Sequence, residues 1–270
     1  MRRFSPLAAG GLVMAGIVAT GSPLAAQTQF TGTAKWADSA SREIEAASAT
    51  GDLDRLTNAA AMVDRVLTVT PNDPLLLYYR SLALYRVASI YTGRKKNDEA
   101  KRALEEADLL LEQATAKSPT ADALALRSSA MGLLIGLSGP MSGMTLGPKA
   151  SGLLDRAKEL EPKNPRVWLV SGMSAMFTPT MFGGGSDKAE QELRKAVALF
   201  DADKPVPPAP SWGRADAYIW LGQLYRKQGK FSDARHAYDE ALKLVPDHQW
   251  VLRRLIPELD SAGKGSGDGS

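Results

Sequence analysis

Residues 215–248 decide the fold of this chain, and they read ADAYIWLGQLYRKQGKFSDARHAYDEALKLVPDH. Large apolar residues recur at Tyr218, Leu221 and Tyr225, which is the spacing of one face of an α-helix. After a turn at Gly229, a second face with helical spacing follows, made of Ala234, Tyr238 and Ala241. The stretch therefore predicts two helices that pack against each other as a hairpin.

The spacing of eight residues in this stretch resembles the tetratricopeptide repeat (TPR), a helix pair of roughly 34 residues. The eight are Tyr218, Leu221, Gly222, Tyr225, Ala234, Tyr238, Ala241 and Pro246. Gly222 falls where the two helices of such a unit approach each other closely, and Pro246 ends the second helix. The resemblance implies an all-α solenoid built from stacked hairpins.

The second-helix pattern recurs upstream, which predicts about five helical hairpins in total. Its earlier copies are Ala59, Val63, Val66 and Pro71; Ala107, Leu111, Ala114 and Pro119; Ala150, Leu154, Ala157 and Pro162; and Ala189, Leu193 and Ala196 with Asp201 in the proline place. The period is longer than the ~34 residues of the minimal unit. The extra residues fall inside the hairpins, at 91–97, 138–148 and 178–186, so we expect extended loops within the repeats that all emerge on one edge.

The chain divides on this basis into five parts. Residues 1–26 are expected to be a signal peptide, 27–202 a four-hairpin array, and 203–214 a proline-rich connector that could set the last repeat apart as a lobe. Residues 215–260 are expected to hold the last repeat and a capping helix, and 261–270 a flexible polar tail.

The N-terminus has the order of features found in an exported protein. Arg2 and Arg3 precede an apolar run at 7–19, and Ala26 ends a stretch that suits cleavage. The run is too short to span a bilayer, which takes ~20 residues. We therefore expect a mature chain that begins near Gln27 and is soluble in the periplasm or secreted, with an uncleaved N-terminal anchor as the alternative.

The composition argues against several classes of function. The chain has no cysteine, so no thiol chemistry is expected. Its 33 Lys and Arg nearly balance its 30 Asp and Glu, so no particular attraction to nucleic acid is expected. The two histidines, His236 and His248, are interpreted as exposed polar residues, and no catalytic, metal or cofactor site is predicted. The glycines at 183–185 are interpreted as a turn, because a phosphate-binding loop would need a different spacing and a preceding strand.

The first helices of a TPR array line its concave surface, so the register predicts which side chains face the groove. They are Leu126, Leu133, Leu169, Met173, Met176, Phe177, Ile219, Gln223 and Arg226. An apolar, methionine-bearing groove of this kind suits a helix or extended segment of a partner protein. Burial of these residues under the N-terminal helix or the inserted loops is the alternative.

The leading hypothesis is a non-catalytic periplasmic scaffold or adaptor that binds a protein or peptide partner in this groove. The runner-up is a component of a transport system that binds a small apolar ligand in an enclosed cavity. An enzyme is the third and least favoured alternative.

Overall fold

In the computed structural model, residue 1 and residues 23–265 are described, with side chains given for 32–116 and 118–262. The apolar run of the expected signal peptide, residues 7–19, lies outside the described residues. The helices are α1 (Pro23–Thr50), α2 (Leu53–Leu67), α3 (Pro74–Gly93), α4 (Asn97–Lys117), α5 (Ala121–Ser138), α6 (Pro140–Leu160), α7 (Pro165–Phe177), α8 (Ser186–Phe200), α9 (Arg214–Lys227), α10 (Phe231–Leu244) and α11 (Ile256–Gly265).

These helices form five antiparallel hairpins, α1–α2 through α9–α10, and the prediction of five hairpins is confirmed. In each hairpin the N-terminal helix is called the first helix and its partner the second helix. Each second helix packs on the first helix of the next hairpin, and first helices of successive hairpins also touch. A π-helical turn at Val251–Leu255 leads into α11, which covers α10 at the end of the array.

Two first helices begin at a capping residue followed by proline. The Asp73 carboxylate accepts hydrogen bonds from the backbone N–H groups of Leu75 and Leu76, both at 3.0 Å, and Pro74 opens α3. Asn164 and Pro165 do the same for α7. Such a cap satisfies backbone donors that a helix start leaves free, and proline needs no donor there. Each of these helices therefore starts at a defined residue.

The core is made where small residues of the second helices meet large residues of the first. The repeated alanines are almost fully buried, which confirms the pattern read from the sequence: Ala59, Ala107, Ala150, Ala157, Ala189, Ala196, Ala234 and Ala241. Of the other residues that resemble the TPR motif, Leu221, Gly222, Tyr225 and Tyr238 are buried, Tyr218 is half-buried and Pro246 is exposed. Small side chains on one helix let the facing helix approach closely enough to exclude water.

The extra length of the repeats lies inside the hairpins, but much of it is helical. The structure continues α3 to Gly93. Helix α6 begins at Pro140, separated from the end of α5 by one residue, and includes Pro148, so most of the loop expected at 138–148 is helical. Pro140 suits a helix start, because its missing N–H would be unpaired there anyway. Of the other two expected loops, 91–97 is reduced to the turn at 94–96, whereas 178–185 is a longer loop that contains a short 3-10 turn at Thr180–Phe182.

We predict that Gly222→Leu destabilises the fold by about 2–4 kcal/mol, because the helices of the fifth hairpin cannot separate to admit a larger side chain. A Cβ added at Gly222 would lie 2.5 Å from the ring of Tyr238, which is fully buried. His236, whose side chain is 78% exposed, provides the matched control, and His236→Ala should cost no more than about 0.5 kcal/mol. Thermal melting checks this, and equal melting temperatures for the two variants would contradict it.

Candidate functional site

The surface lined by the first helices is the candidate site, and the proline-rich segment 203–212 packs against it through contacts with α1, α3 and α7. Tyr79, on α3, donates a hydrogen bond from its hydroxyl to the carbonyl of Pro208 at 2.7 Å. Ser211 donates to Glu45 on α1 at 2.6 Å, and the indole N–H of Trp212 donates to the hydroxyl of Tyr78 at 2.6 Å. Segment 203–212 is therefore packed into the array instead of spacing two lobes apart.

Trp212 is the apolar anchor of this segment. Its residue surface is 6% exposed, and the Arg86 guanidinium lies 5.4 Å from its ring centroid. The next residue, Gly213, has a positive φ of 109°, and a Cβ there would meet Phe200 at 2.8 Å. Glycine is required at this point because both the backbone angle and the space exclude a side chain.

Burial raises the pKa of Tyr79 to about 12, so this phenol stays protonated and can donate its hydrogen bond to the carbonyl of Pro208.

Arg166 is the polar anchor of the same segment. Its Nε donates to Asp122 on α5 at 2.6 Å, and its Nη1 donates to Asp203 at 2.8 Å and to the carbonyl of Trp212 at 3.4 Å. Only 5% of the Arg166 side chain is exposed. Burial raises the pKa of Asp122, and the attraction of Arg166 and the amide of Asn164 act against that rise. Removing one partner of such a buried pair typically costs about 3–5 kcal/mol, since the other charge is left uncompensated.

A second ion pair joins the second hairpin to the fifth. Arg86 on α3 donates to both carboxylate oxygens of Asp216 on α9, at 2.6 and 3.1 Å. Burial acts to raise the pKa of Asp216, but the charge and hydrogen bonds of Arg86 outweigh it, so the pKa is lowered. His248 lies close enough to feel both charges, and burial is the main cause that lowers its pKa. His248 is half-buried near Asp216 and Arg86, so its interpretation as an exposed residue is wrong, whereas His236 is exposed as expected.

Four of the nine residues predicted to face the groove are buried. Leu126, Leu169 and Ile219 are at most 1% exposed, and Met176 is 8% exposed. They belong to the core because neighbouring helices and the Trp212–Gly213 corner pack over the first helices, so the expectation that they face an open groove is wrong. Half-buried members of the predicted set are Leu133, Met173, Gln223 and Arg226. Phe177 is 69% exposed, and its binding role stays a prediction.

Phe177 belongs to a row of three aromatic residues that the surface leaves accessible. Its ring centroid lies 6.0 Å from that of Trp220 on α9, and Trp220 lies 6.3 Å from Trp250, both pairs edge to face. Trp220 is half-buried and Trp250 is 38% exposed. We call Phe177, Trp220 and Trp250 the aromatic row.

Sequence reasoning missed two members of the aromatic row. Trp250 lies one TPR period of roughly 34 residues after Asp216, a position that faces the groove, so continuing the period past Pro246 would have found it. Trp220 is adjacent to Ile219 and had no separate signal in the sequence.

A cation lies at one end of the aromatic row. The Lys227 ammonium donates a hydrogen bond to the carbonyl of Met176 at 3.3 Å. The row thus combines apolar ring surface with a nearby cation.

The fold and this surface define a class of protein: a solenoid of stacked helical hairpins whose first helices present a surface for binding. Residues 215–248 match the family model described as Tetratricopeptide repeat. The chain therefore contains a tetratricopeptide repeat within a TPR-like solenoid, and the resemblance stated from the sequence is confirmed. TPR proteins are generally non-catalytic, and the fold suggests a protein-interaction scaffold.

Two solved structures are similar to this chain over most of its length. The HusA haemophore from Porphyromonas gingivalis is 27% identical with a TM-score of 0.59, and the match covers 71% of this chain and 94% of that one. A thermophilic TPR protein from Thermus thermophilus is 21% identical with a TM-score of 0.54, and the match covers 83% and 98% of the two chains. The second likeness concerns the fold alone.

Among curated proteins, the chain is similar to a part of Protein O-mannosyl-transferase TMTC1 of Mus musculus. The two are 33% identical over 113 residues, which is 42% of this chain and 10% of the mouse protein. The chain therefore spans about a tenth of the length of that relative.

Within residues 23–265, no group of three or more His, Asp or Glu residues could hold a metal ion. In the same part of the chain, no helix has both the length and the hydropathy to cross a membrane.

We predict that Asp216→Asn lowers the free energy of unfolding by about 2 kcal/mol at neutral pH, less than for a fully buried pair because about a fifth of each side chain is exposed. The folded-state pKa of Asp216 is lowered, so its contribution is present above the unfolded pKa and is lost as pH falls through the folded value. The difference in free energy of unfolding between wild type and Asp216→Asn should therefore become smaller below about pH 4.

Denaturant titrations at several pH values check this prediction. Asp155→Asn is the matched control, because Asp155 is an exposed carboxylate on α6. If the difference in free energy of unfolding stays constant from neutral to acidic pH, the charge of Asp216 contributes nothing to the stability of the array.

Proposed function

We propose that this chain is an exported, non-catalytic TPR scaffold that binds a helix or extended segment of a partner protein on the aromatic row. The observation that carries the proposal is the contrast along the first-helix surface. Segment 203–212 covers its middle, whereas Phe177 and its two tryptophan neighbours stay accessible at one end.

The chemistry of the aromatic row suits a protein partner. Tryptophan and phenylalanine supply large contact areas and are enriched among residues that dominate binding energy. Their edge-to-face packing holds the rings in place, so little conformational entropy is lost on binding. Lys227 at the same end of α9 adds a positive charge that favours an acidic or carbonyl-rich segment, whereas Arg226 is paired with Glu258 at 3.3 Å.

Export is supported by the N-terminal sequence alone. Arg2 and Arg3, the apolar run at 7–19 and the small residues before Gln27 have the order of a signal peptide. A cut after Ala26 would leave residues 27–50 of α1 in the mature chain. We propose a periplasmic or secreted location on this basis.

We expect Phe177→Ala to weaken partner binding about ten- to thirty-fold, or ~1–2 kcal/mol, with little change in melting temperature. The reason is that Phe177 is exposed, so its truncation removes contact area without opening a cavity. Leu169→Ala should do the opposite, since Leu169 is fully buried and its truncation should cost about 2–5 kcal/mol of stability.

A photo-crosslinking amino acid placed at position 177 in cells that make the protein identifies the partner, and its capture by wild type and variants is then compared. The matched control position is Leu109, which is 61% exposed on the second helix α4. Crosslinking from both positions alike, or from neither, would rule out the aromatic row as the binding surface.

A second candidate function is binding of haem, favoured by the likeness to the HusA haemophore at 27% identity over 94% of that chain. Haem would take the place of the small apolar ligand in the runner-up hypothesis from the sequence. A cavity of about 280 Å³ lined by Glu45, Ala46, Ala49, Thr50, Arg55, Val245 and Asp247 is smaller and more charged than pockets that enclose such ligands. Haem would therefore stack on the aromatic row, with its flat ring against Trp220.

We expect Trp220→Ala to abolish any haem-induced change in the Soret band, whereas Trp36→Ala, at a 45% exposed tryptophan on α1, should leave it intact. The measurement is a titration of haem into the purified protein followed by absorbance. No spectral change with wild type, or equal changes in all three proteins, would eliminate haem binding at the row.

A further inference from the structure

The turns that join first to second helices form one edge of the array, and Phe177, the last residue of α7, is the member of the aromatic row nearest to it. Successive first helices pack side by side and each hairpin is antiparallel, so these turns emerge together. The edge protrudes at hairpins two to four, where the repeats carry their extra residues. We call the residues at 94–96, 141–144 and 181–182 the protruding edge.

Hairpins three and four supply large apolar side chains to the protruding edge. Met141 and Met144 in the first turn of α6 are 77% and 73% exposed, and Met181 and Phe182 in the loop after α7 are 83% and 71% exposed. Four such exposed side chains at one edge are unusual for a soluble protein surface.

The loop that carries Met181 and Phe182 is held in place by hydrogen bonds. The Gly185 N–H donates to the carbonyl of Ala175 at 2.9 Å, and the Lys188 ammonium donates to the carbonyl of Gly183 at 2.8 Å. The apolar tip is thus presented by a fixed turn and does not fold back onto the core.

Hairpin two supplies positive charge to the same edge. Arg94, Lys95 and Lys96 are consecutive and exposed in the turn between α3 and α4. Acidic residues follow in the first turns of the second helices, at Asp98 and Glu99 in α4 and at Asp187 in α8. Carboxylates at those positions interact favourably with the positive N-terminal ends of their own helices, so cations dominate the tip of the second turn.

We propose that the protruding edge docks on an anionic phospholipid surface, with Met141, Met144, Met181 and Phe182 entering the interface and Arg94, Lys95 and Lys96 pairing with headgroups. Apolar side chains flanked by Lys and Arg are the pattern of proteins that lie on membranes. Each cation near an anionic surface strengthens binding about five-fold. Unbranched methionine side chains on separate turns suit a deformable lipid interface better than a fixed protein pocket. This inference is independent of the partner proposed for the aromatic row.

The test is co-sedimentation of the full mature chain with vesicles of phosphatidylcholine alone or of equal parts phosphatidylcholine and phosphatidylglycerol. Wild type should sediment with the anionic vesicles only. We expect the triple variant Arg94→Ser, Lys95→Ser, Lys96→Ser and the double variant Met181→Ser, Phe182→Ser each to bind at least ten-fold more weakly. Leu109→Ser, at an exposed apolar position away from the edge, should bind as wild type does.

A conservative variant gives a direct readout that does not depend on loss of binding. Phe182→Trp places a fluorophore at the tip, and its emission should shift to shorter wavelength with anionic vesicles and stay unchanged with neutral ones. No shift, equal binding to both vesicle types, or equal loss in Leu109→Ser would overturn the proposal. The proposal would also be overturned if a photo-crosslinker at position 181 captured a protein while the chain bound no vesicles, because the protruding edge would then bind a protein partner.

The two proposals fail separately. Phe177→Ala should keep full vesicle binding while it loses the partner of the aromatic row. The edge variants should keep that partner.

Discussion

The array depends on the buried guanidinium of Arg166. It is the point at which α5, α7 and the segment 203–212 are held together, through Asp122, Asp203 and the carbonyl of Trp212. A charge buried to this degree is tolerated only if it is fully paired. Because both carboxylates and the segment must be in place to pair it, the conformation of the proline-rich segment is coupled to the packing of the third and fourth hairpins. The aromatic row is the part of the first-helix surface that segment 203–212 leaves accessible.

The fold could be predicted from the sequence because its signals are local. The alanines of the second helices recur at helical spacing, and the Asp73–Pro74 and Asn164–Pro165 pairs mark where first helices begin. Each signal depends on contacts within one hairpin or between neighbours, which is the range over which a repeat pattern carries information. The helical form of residues 140–148 was missed because the prolines and glycines there suit a loop as well as a helix start.

The candidate site was predicted less well, since it depends on contacts between residues far apart in the chain. The register placed Phe177, Leu169 and Ile219 on the same surface, and of the three only Phe177 is exposed. A register shows which side of a helix a residue occupies and says nothing about a distant segment that returns to cover it. The signal for that return was present in Trp212, an apolar residue at the end of a polar, proline-rich stretch, but the sequence does not say where it docks.

The return of segment 203–212 also changes how the molecule behaves as a repeat protein. In most solenoids each unit touches only its neighbours, so units can be lost from an end and folding can start anywhere. Here Ser211 reaches Glu45 and Tyr79 reaches Pro208, across 166 and 129 residues of chain. Contacts of such sequence separation slow folding, since a large loop must close before they form. The array is thereby converted from a modular stack into a single cooperative unit, in which the first hairpins reach their full stability only after the last has been synthesised.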